Sequence, residues 1–309
     1  MILLTLLGCQ PESAPYILPT FVPLPLPTVT QLPTRIARTI PTRAVTATVT
    51  PYHTLPPTLI PLPSPTFVSL TALPQNETIT FGQSVFGRPL IARRHGTGEQ
   101  VLMLVGGIHG GWESNTAALM DALSAHFEAS PDAILPGAAL MIIPQLNPDG
   151  LTRGRVLEGR FNDHGVDLNR NWGCGWQPDA YFQQMQVDAG ETAMSEPETQ
   201  ALAALITETQ PALVLFYHSA ADGIFTGDCQ GDDAGAEAMA QVLGEATGYS
   251  FGAGFSAYPV TGTAPNWVAS LGIPSADVEL ETWREPEFER NLRGVLALQC
   301  WVLGIVCES

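Results

Sequence analysis

The chain has 309 residues, of which 45% are hydrophobic, and its formal net charge at pH 7 is -17. All 13 basic side chains are arginines, and 30 acidic residues oppose them. Because so acidic a surface repels nucleic acid and other polyanions, we expect no nucleic-acid partner. The length is sufficient for one large hydrophobic core and an additional segment.

The additional segment lies at the amino-terminal side. Of the 27 prolines, 15 lie within the first 75 residues, mixed with threonine and without a helical or alternating period. This composition is typical of an extended, disordered chain. We therefore predict a signal remnant over residues 1–9, a Pro/Thr-rich stalk over residues 10–76 and one globular domain over residues 77–309.

The first ten residues, MILLTLLGCQ, resemble the end of a bacterial lipoprotein signal, in which a Leu-x-Gly-Cys box precedes a lipidated cysteine. The resemblance implies a membrane tether through a lipid on Cys9 and an extracytoplasmic protein. The apolar run is too short to span a membrane and lacks the basic region of a signal. Either the start lies upstream or the resemblance is accidental; a fragment of a simple secretion signal would still place the protein outside the cytoplasm.

Four further cysteines, Cys174, Cys229, Cys300 and Cys307, are compatible with two disulfides in an oxidising compartment. Three pairings are open. Cys300 and Cys307 lie in an apparently helical segment, where seven residues separate them by about 10 Å. That distance is too long for a disulfide unless the helix ends between them.

Strand-like and helix-like runs alternate along the globular part. The strand-like runs are VLMLVGG, ALMIIPQL, ALVLFYH and SADVEL, and the helix-like runs are NTAALMDALSAHFEA, SEPETQALAALITET, AGAEAMAQVLGEAT and EFERNLRGVLALQCWVLG. They predict a single-domain α/β fold with a mixed, mostly parallel twisted sheet and helices on both faces. A hairpin with its turn at Phe86 to Arg88 comes first. Ser195 and Glu198 predict a capping box at the second helix.

Two histidines and one carboxylate follow the predicted strands. His109 and Glu113 come after VLMLVGG, and His218 ends ALVLFYH. The carboxyl ends of strands in open α/β sheets face the ligand crevice. Two histidines and one carboxylate with a free fourth position are typical ligands of hydrolytic zinc. We therefore predict one Zn²⁺ per chain, and a structural role for each histidine is the alternative.

Several motifs then follow in a fixed order: GRPL, GGIHGGWE, NPDG, GRFNDHGVDLNRNW, SEPET, YHS, a Tyr followed by TGT, and VEL. With these motifs the chain resembles the M14 zinc metallocarboxypeptidases, in particular their compact bacterial branch, the murein-peptide and γ-D-glutamyl-diaminopimelate amidases. The resemblance covers about residues 78–303. It implies a zinc carboxypeptidase-like fold and hydrolysis of the C-terminal amide bond of peptides.

The resemblance also implies roles for individual residues. His109, Glu113 and His218 would bind zinc, and Glu279 would move a proton from zinc-bound water to the leaving amine. Asn169 and Arg170 would hold the substrate's terminal carboxylate. Arg160 would support the oxyanion, and Tyr258 would close over the substrate. An arginine fork suits a carboxylate. The alternative for Arg170 is a buried ion pair with Asp167 or another acid. For Arg160 the alternatives are its loop neighbours, Arg153 and Arg155.

One feature departs from the family pattern. Most members space the first two ligands as His-x-x-Glu, whereas here Trp112 makes the spacing His-x-x-x-Glu. No other carboxylate lies between His109 and Asp121. We expect Glu113 in the first turn of a helix, with the preceding glycines absorbing the extra residue. An enzyme that has lost its metal is the alternative.

The substrate is inferred from the last strand. Residues two apart on a strand face the same way, so Asp277, Glu279 and Glu281 should point towards one pocket. Asp277 would favour a basic or diamino C-terminal residue, such as the diaminopimelate of peptidoglycan, unless it is structurally paired. A zinc deacylase or amidase on the same fold and a non-catalytic wall-binding lipoprotein are the alternative functions.

Overall fold

The computed structural model of the protein describes residues 76–306. The predicted signal remnant with Cys9, the predicted stalk except its last residue, Asn76, and Cys307 lie outside these residues. Within the described part, no helix has both the length and the apolar character needed to cross a membrane.

The described chain contains nine strands and six α-helices. The strands are β1 (Glu77–Gln83), β2 (Pro89–His95), β3 (Gln100–Val105), β4 (Ala138–Ile143), β5 (Ala180–Phe182), β6 (Met185–Val187), β7 (Leu213–Ser219), β8 (Gly223–Thr226) and β9 (Ser275–Leu280). The helices are α1 (Ser114–Ala129), α2 (Pro148–Thr152), α3 (Pro197–Thr209), α4 (Ala236–Thr247), α5 (Ala264–Ala269) and α6 (Phe288–Leu303).

Seven strands form one mixed sheet in the order β1-β2-β4-β3-β7-β9-β8, and β5 and β6 form a separate hairpin. The four central strands, β4, β3, β7 and β9, are mutually parallel. Antiparallel pairs, β1 with β2, β2 with β4 and β8 with β9, complete the two sides. The predicted mixed α/β sheet is confirmed, and the parallel strands form the centre of the sheet.

Helices cover both faces of this sheet, as the sequence predicts. Apolar side chains of α1, α4 and α6 pack on one face, and those of α3 and α5 pack on the other. Alternate residues of β3 divide between these two cores: Leu102 and Leu104 face the first, and Met103 and Val105 face the second. A parallel strand covered on both faces is apolar throughout, which explains the unbroken run VLMLV.

The predicted elements agree with the observed ones, with two differences. The strand-like runs become β3, β4, β7 and β9, the helix-like runs become α1, α3, α4 and α6, and the first hairpin is β1–β2. The short β5, β6, β8, α2 and α5 were not predicted, because three to six residues give little periodicity. The predicted capping box is wrong: Glu196 is the N-cap residue of α3, and the Ser195 hydroxyl donates to the Glu196 carboxylate.

The strand order reverses between β3 and β7. The chain passes from β3 through α1 to β4 on one side, whereas β7 lies on the other side of β3. In open α/β sheets such a reversal opens a crevice at the carboxyl ends of the strands. His109 follows β3 and His218 lies near the end of β7, so the topology places both histidines at this crevice.

One disulfide joins Cys174 to Cys229. Cys300 is also disulfide-bonded. Since α6 ends at Leu303, the helix does end between Cys300 and Cys307.

Candidate active site

A tight turn between β3 and α1 carries the first two candidate ligands. Gly110 has a φ of +46°, and a Cβ there would lie 2.7 Å from the Gly159 carbonyl oxygen. Only glycine combines this conformation with so close an approach. The backbone N–H of Trp112 donates to the carbonyl of His109 at 3.1 Å. The turn therefore absorbs the extra residue and brings Glu113 back towards His109.

The three predicted ligands converge on one point. His109 Nδ1 lies 2.8 Å from the Glu113 carboxylate and 3.3 Å from His218 Nδ1, and His218 Nδ1 lies 3.1 Å from Glu113. All three side chains are buried, and one ligand atom from each lies within 4.8 Å of the others. Glu113 is the N-cap residue of α1, just before its first turn, so its expected position was wrong by one residue.

Each histidine has a second carboxylate at its other nitrogen. His109 Nε2 lies 3.2 Å from Asp167, and His218 Nε2 lies 3.1 Å from Asp277. Such partners favour the tautomer in which Nε2 carries the proton, which leaves the Nδ1 lone pairs to face the common point. Two converging imidazole nitrogens and one carboxylate fit a zinc ion.

The same region concentrates negative charge. Burial alone would raise the pKa of Glu113, but His109 and His218 outweigh burial and hold it well below its usual range. The pKa of Asp167 is shifted in the same way. Burial alone would raise it, but the charges of Arg160 and His109 hold it well below its usual range. Ionised carboxylates so far from water require a nearby cation. Arg160 supplies that cation for Asp167, and a zinc ion held by neutral histidines would supply it for Glu113.

Glu279 stands beside the ligands on β9. It pairs in register with His218 on β7, and its Oε2 atom is buried without a hydrogen-bond partner among the described residues. Burial raises the pKa of Glu279 to about 8; the charge of His218 opposes this rise, and Glu113 and Asp277 add to it. A carboxyl group with a pKa near neutral suits the exchange of protons during catalysis.

Arg160 is fully enclosed next to the ligands. Its Nε donates to Asp167 at 2.8 Å, one Nη atom lies 3.1 Å from His109 Nδ1 and 3.6 Å from Glu113, and its guanidinium covers the Phe182 ring at 3.9 Å. The buried pair with Asp167 that was the alternative for Arg170 is therefore made by Arg160. The structure brings its positive charge to the ligand cluster.

Asn169 and Arg170 line the same pocket as the ligands. The side-chain oxygen of Asn169 accepts from the backbone N–H of Ala264 at 2.8 Å, which fixes the amide. The Arg170 guanidinium donates to the carbonyls of Tyr181 and Asn169. Its described hydrogen-bond partners are carbonyls and no carboxylate, while its charge helps to lower the pKa of Asp167.

Tyr258 also lines this pocket. Its ring packs edge-on against Phe182 and Phe255, with centroid distances of 6.1 and 4.9 Å. Burial raises the pKa of its hydroxyl, so the group stays protonated at neutral pH and can donate a hydrogen bond. Phe225 and Phe255, which the sequence analysis did not single out, line the pocket with Tyr258.

The three acids expected on one face of β9, Asp277, Glu279 and Glu281, do not all line the pocket. Asp277 and Glu279 line the pocket, whereas Val278 and Leu280 pack in the core of the other face. Glu281 lies beyond the end of β9, is 65% exposed and lies near Arg290, so its expected direction was wrong. Asp277 is both a pocket residue and the partner of His218.

Asp167 has a larger part in the site than the sequence predicts, where it enters only as a possible partner of Arg170. It contacts His109 and Arg160 at once and is fully buried. An acid inside the apolar run before Asn169 was a usable signal, because buried carboxylates are almost always paired.

Residues 248–252 read GYSFG, which matches the serine-hydrolase pattern G-x-S-x-G by letter. The run follows α4 instead of a strand, and the Ser250 hydroxyl donates to the carbonyl of Asp222. It does not form a nucleophile elbow.

Known proteins are similar to this chain in sequence and in fold. The family model for peptidase M14, zinc carboxypeptidase, matches residues 70–289. Murein peptide amidase A of Escherichia coli strain K12 is 33% identical over 155 residues, which are 45% of this chain and 57% of that protein. The chain thus matches a little more than half the length of this relative.

Solved structures have the same fold. Murein-tripeptide amidase MpaA from Escherichia coli O157 has a TM-score of 0.55 at 25% identity, over 75% of this chain and 95% of that one. Bovine thrombin-activatable fibrinolysis inhibitor has a TM-score of 0.64 at 20% identity, over 74% and 91%. With the matched family model, these likenesses establish that the chain belongs to the M14 family of zinc carboxypeptidases.

Proposed function

We propose that the protein is an extracytoplasmic zinc carboxypeptidase that hydrolyses the C-terminal amide bond of cell-wall peptides. The observation that carries the proposal is the convergence of His109, Glu113 and His218 beside a buried, unpartnered Glu279 oxygen. A bound zinc ion would polarise the scissile carbonyl and lower the pKa of water towards neutral. The protein side chains supply the remaining chemistry.

Glu279 is the proton carrier in this mechanism. Its unpartnered Oε2 takes one proton from the attacking water and gives it to the nitrogen of the breaking amide bond. The products are a carboxylate on the acyl side and a free amine on the released residue. A pKa raised by burial makes Glu279 a stronger base for the first transfer than an ordinary glutamate, and it keeps the proton on the carboxyl group until the amide nitrogen takes it.

Arg160 stabilises the charge that develops on the carbonyl oxygen. Its guanidinium is held by Asp167 and by the Phe182 ring, so its position needs little reorganisation during the reaction. Asn169 and Arg170 would hold the terminal carboxylate, and the Tyr258 hydroxyl would donate to the bound peptide.

The side chain of the released residue would contact Asp277. A basic or diamino residue places an ammonium group there, and a tethered enzyme outside the cytoplasm would encounter diaminopimelate in peptidoglycan. The similarity to a murein peptide amidase supports this substrate class. Because Asp277 also faces His218, its role in substrate preference is the finer part of the proposal.

The experiment is release of the C-terminal residue from peptides that end in lysine, diaminopimelate or phenylalanine. We expect release that stops with a chelator and returns with zinc, and that is fastest for the diamino or basic residue. No release from any peptide by the zinc-loaded protein would contradict the proposal.

A second candidate is a zinc amidase that cleaves a γ-glutamyl bond to a diamino acid. The likeness to murein peptide amidase A favours it. Two peptides with the same terminal diaminopimelate, joined to glutamate through its α- or its γ-carboxyl group, separate the two functions. Exclusive cleavage of the γ-linked peptide would assign the amidase.

The location is proposed on the sequence of residues 1–9. We expect the chain, expressed in a bacterium with a complete signal, to fractionate with the membrane and Cys9→Ser to move it to the soluble fraction. An unchanged distribution would contradict the lipid tether. Zinc binding and peptide release do not depend on this result.

A further inference from the structure

The side-chain amide of Asn115 joins three segments of the active site. Asn115 lies in the first turn of α1, two residues after Glu113, and is only 4% exposed. Its Nδ2 donates to the carbonyl of Thr282 at 2.8 Å and to that of Glu285 at 3.2 Å. Its Oδ1 accepts from the hydroxyl of Ser219 at 3.0 Å. Both the nitrogen and the oxygen of this buried amide are therefore paired within the protein.

These partners belong to the segments that carry the metal ligands and the proposed proton carrier. Ser219 directly follows the ligand His218 on β7. Thr282 lies three residues after Glu279, in the segment that follows β9, residues 281–285. One buried side chain thus connects the start of α1, the end of β7 and segment 281–285.

The two metal ligands in this group have backbone supports of their own. The Glu113 carbonyl accepts from the backbone N–H of Thr116 at 3.0 Å and from its hydroxyl at 2.8 Å. His218 lies in β7, which pairs with β3 on one side and with β9 on the other. Loss of the Asn115 amide should therefore leave both ligands close to their present positions.

Glu279 has less support, because it lies at the end of its strand. The ladders of β9 end at Glu279 on the β8 side and at Leu280 on the β7 side. Strand ends open more easily than strand centres unless contacts beyond the ladder hold them. Asn115 supplies such contacts through its bonds to the carbonyls of Thr282 and Glu285.

We propose that Asn115 is a positioning residue: it holds segment 281–285 against the start of α1 and thereby keeps the Glu279 carboxylate beside the metal ligands. The inference rests on the proposed carboxypeptidase function, in which Glu279 carries the proton. Among the described residues that line the substrate pocket, Glu279 is present and Asn115 is not. Asn115 therefore acts on the chemical step through Glu279, and substrate binding depends on other residues.

The test replaces Asn115 by leucine, which has a similar shape and no hydrogen-bonding group. Because misplacement of a catalytic group by about 1 Å can slow a reaction by about 100-fold, we expect kcat to fall by about 10- to 100-fold. KM and zinc affinity should stay close to those of the unmodified protein. Backbone hydrogen exchange in segment 281–285 should become faster. Asn115→Ser, whose hydroxyl can donate one hydrogen bond, should lose less kcat, and it carries the test if the leucine variant does not fold.

The matched control is Gln299→Met, which removes another buried side-chain amide. Gln299 on α6 is fully buried, accepts from the backbone N–H of Leu135 and donates to the carbonyl of Ala133, in the segment before β4. This change should lower the Tm and leave both kcat and the hydrogen exchange of segment 281–285 unchanged.

Unchanged kcat in the Asn115 variants would overturn the positioning role and leave the carboxypeptidase function intact. A loss that appears mainly in KM or in zinc affinity, or an equal loss of kcat in Gln299→Met, would have the same meaning. No peptide release by the unmodified, zinc-loaded protein would overturn the proposed function and the inference with it.

Discussion

The carboxylate of Asp277 lies 3.1 Å from Nε2 of His218, on the nitrogen opposite the one that faces the other metal ligands. The same carboxylate lies 3.4 Å from the Asn169 amide and is 18% exposed at the pocket. It can therefore orient His218 and meet the substrate. These two roles have different consequences when Asp277 is changed.

Asp277→Asn should weaken zinc binding. Loss of a carboxylate behind a ligating histidine reduces metal affinity by about 10- to 100-fold. Zinc affinity measured by competition with a chromophoric chelator tests this expectation, and Asp132→Asn, an exposed aspartate far in sequence from the site, is the control. Unchanged affinity together with lost preference for a basic residue would assign Asp277 to substrate selection alone.

Arg170→Lys should lower kcat/KM by about 10- to 100-fold for peptides with a free C-terminal carboxylate, because an ammonium group cannot donate in the two-point manner of a guanidinium. The same peptides with an amidated C-terminus should lose much less. The Tm of the variant reports any damage from the lost bond to Tyr181. An equal loss for free and amidated peptides would contradict the assigned role.

Glu279→Gln should stabilise the metal-free protein near neutral pH. In the folded state the pKa of Glu279 is about 8, mainly through burial, and it is near 4.3 in an unfolded chain. Folding then binds a proton, so stability is fully present below about pH 4 and is lost as pH rises through 8. Denaturant unfolding should give the variant about 1–3 kcal/mol more stability at pH 7.5 and an equal value at pH 4. The same difference at both pH values would be contrary to the expectation.

Removal of the Cys174–Cys229 disulfide should destabilise the domain by about 2–4 kcal/mol, because a bridge between residues 55 positions apart restricts the unfolded chain. The variant with both cysteines changed to serine should show a lower denaturant midpoint than the oxidised protein. A midpoint equal to that of the oxidised protein would contradict a stabilising role.

The sequence predicts those parts of the site that depend on buried strands. VLMLV and ALVLF are apolar throughout because helices cover both faces of the sheet, and the ends of these strands fix the positions of His109 and His218. The alternation along β9 likewise predicts that Asp277 and Glu279 share a face. Glu281 departs from this pattern because the strand ends at Leu280.

Contacts between distant segments could not be predicted in this way. Asp167 and Asp277 reach the two histidines across 58 and 59 positions of sequence, and spacing carries no information on such distances. The same holds for the rings of Trp112, Phe182 and Trp283, which come from three different loops or short strands. The sequence also does not decide which arginine pairs with Asp167, because several arginines lie in one loop.

The central claim is that a zinc ion and the Glu279 carboxylate act together in peptide hydrolysis. The most direct test measures zinc content and C-terminal residue release for the unmodified protein, for Glu279→Gln and for the exposed neighbour change Glu281→Gln. The account predicts about one zinc per chain in all three proteins, with release abolished only in Glu279→Gln. Unchanged release by Glu279→Gln, or an unmodified protein that binds no zinc, would contradict it.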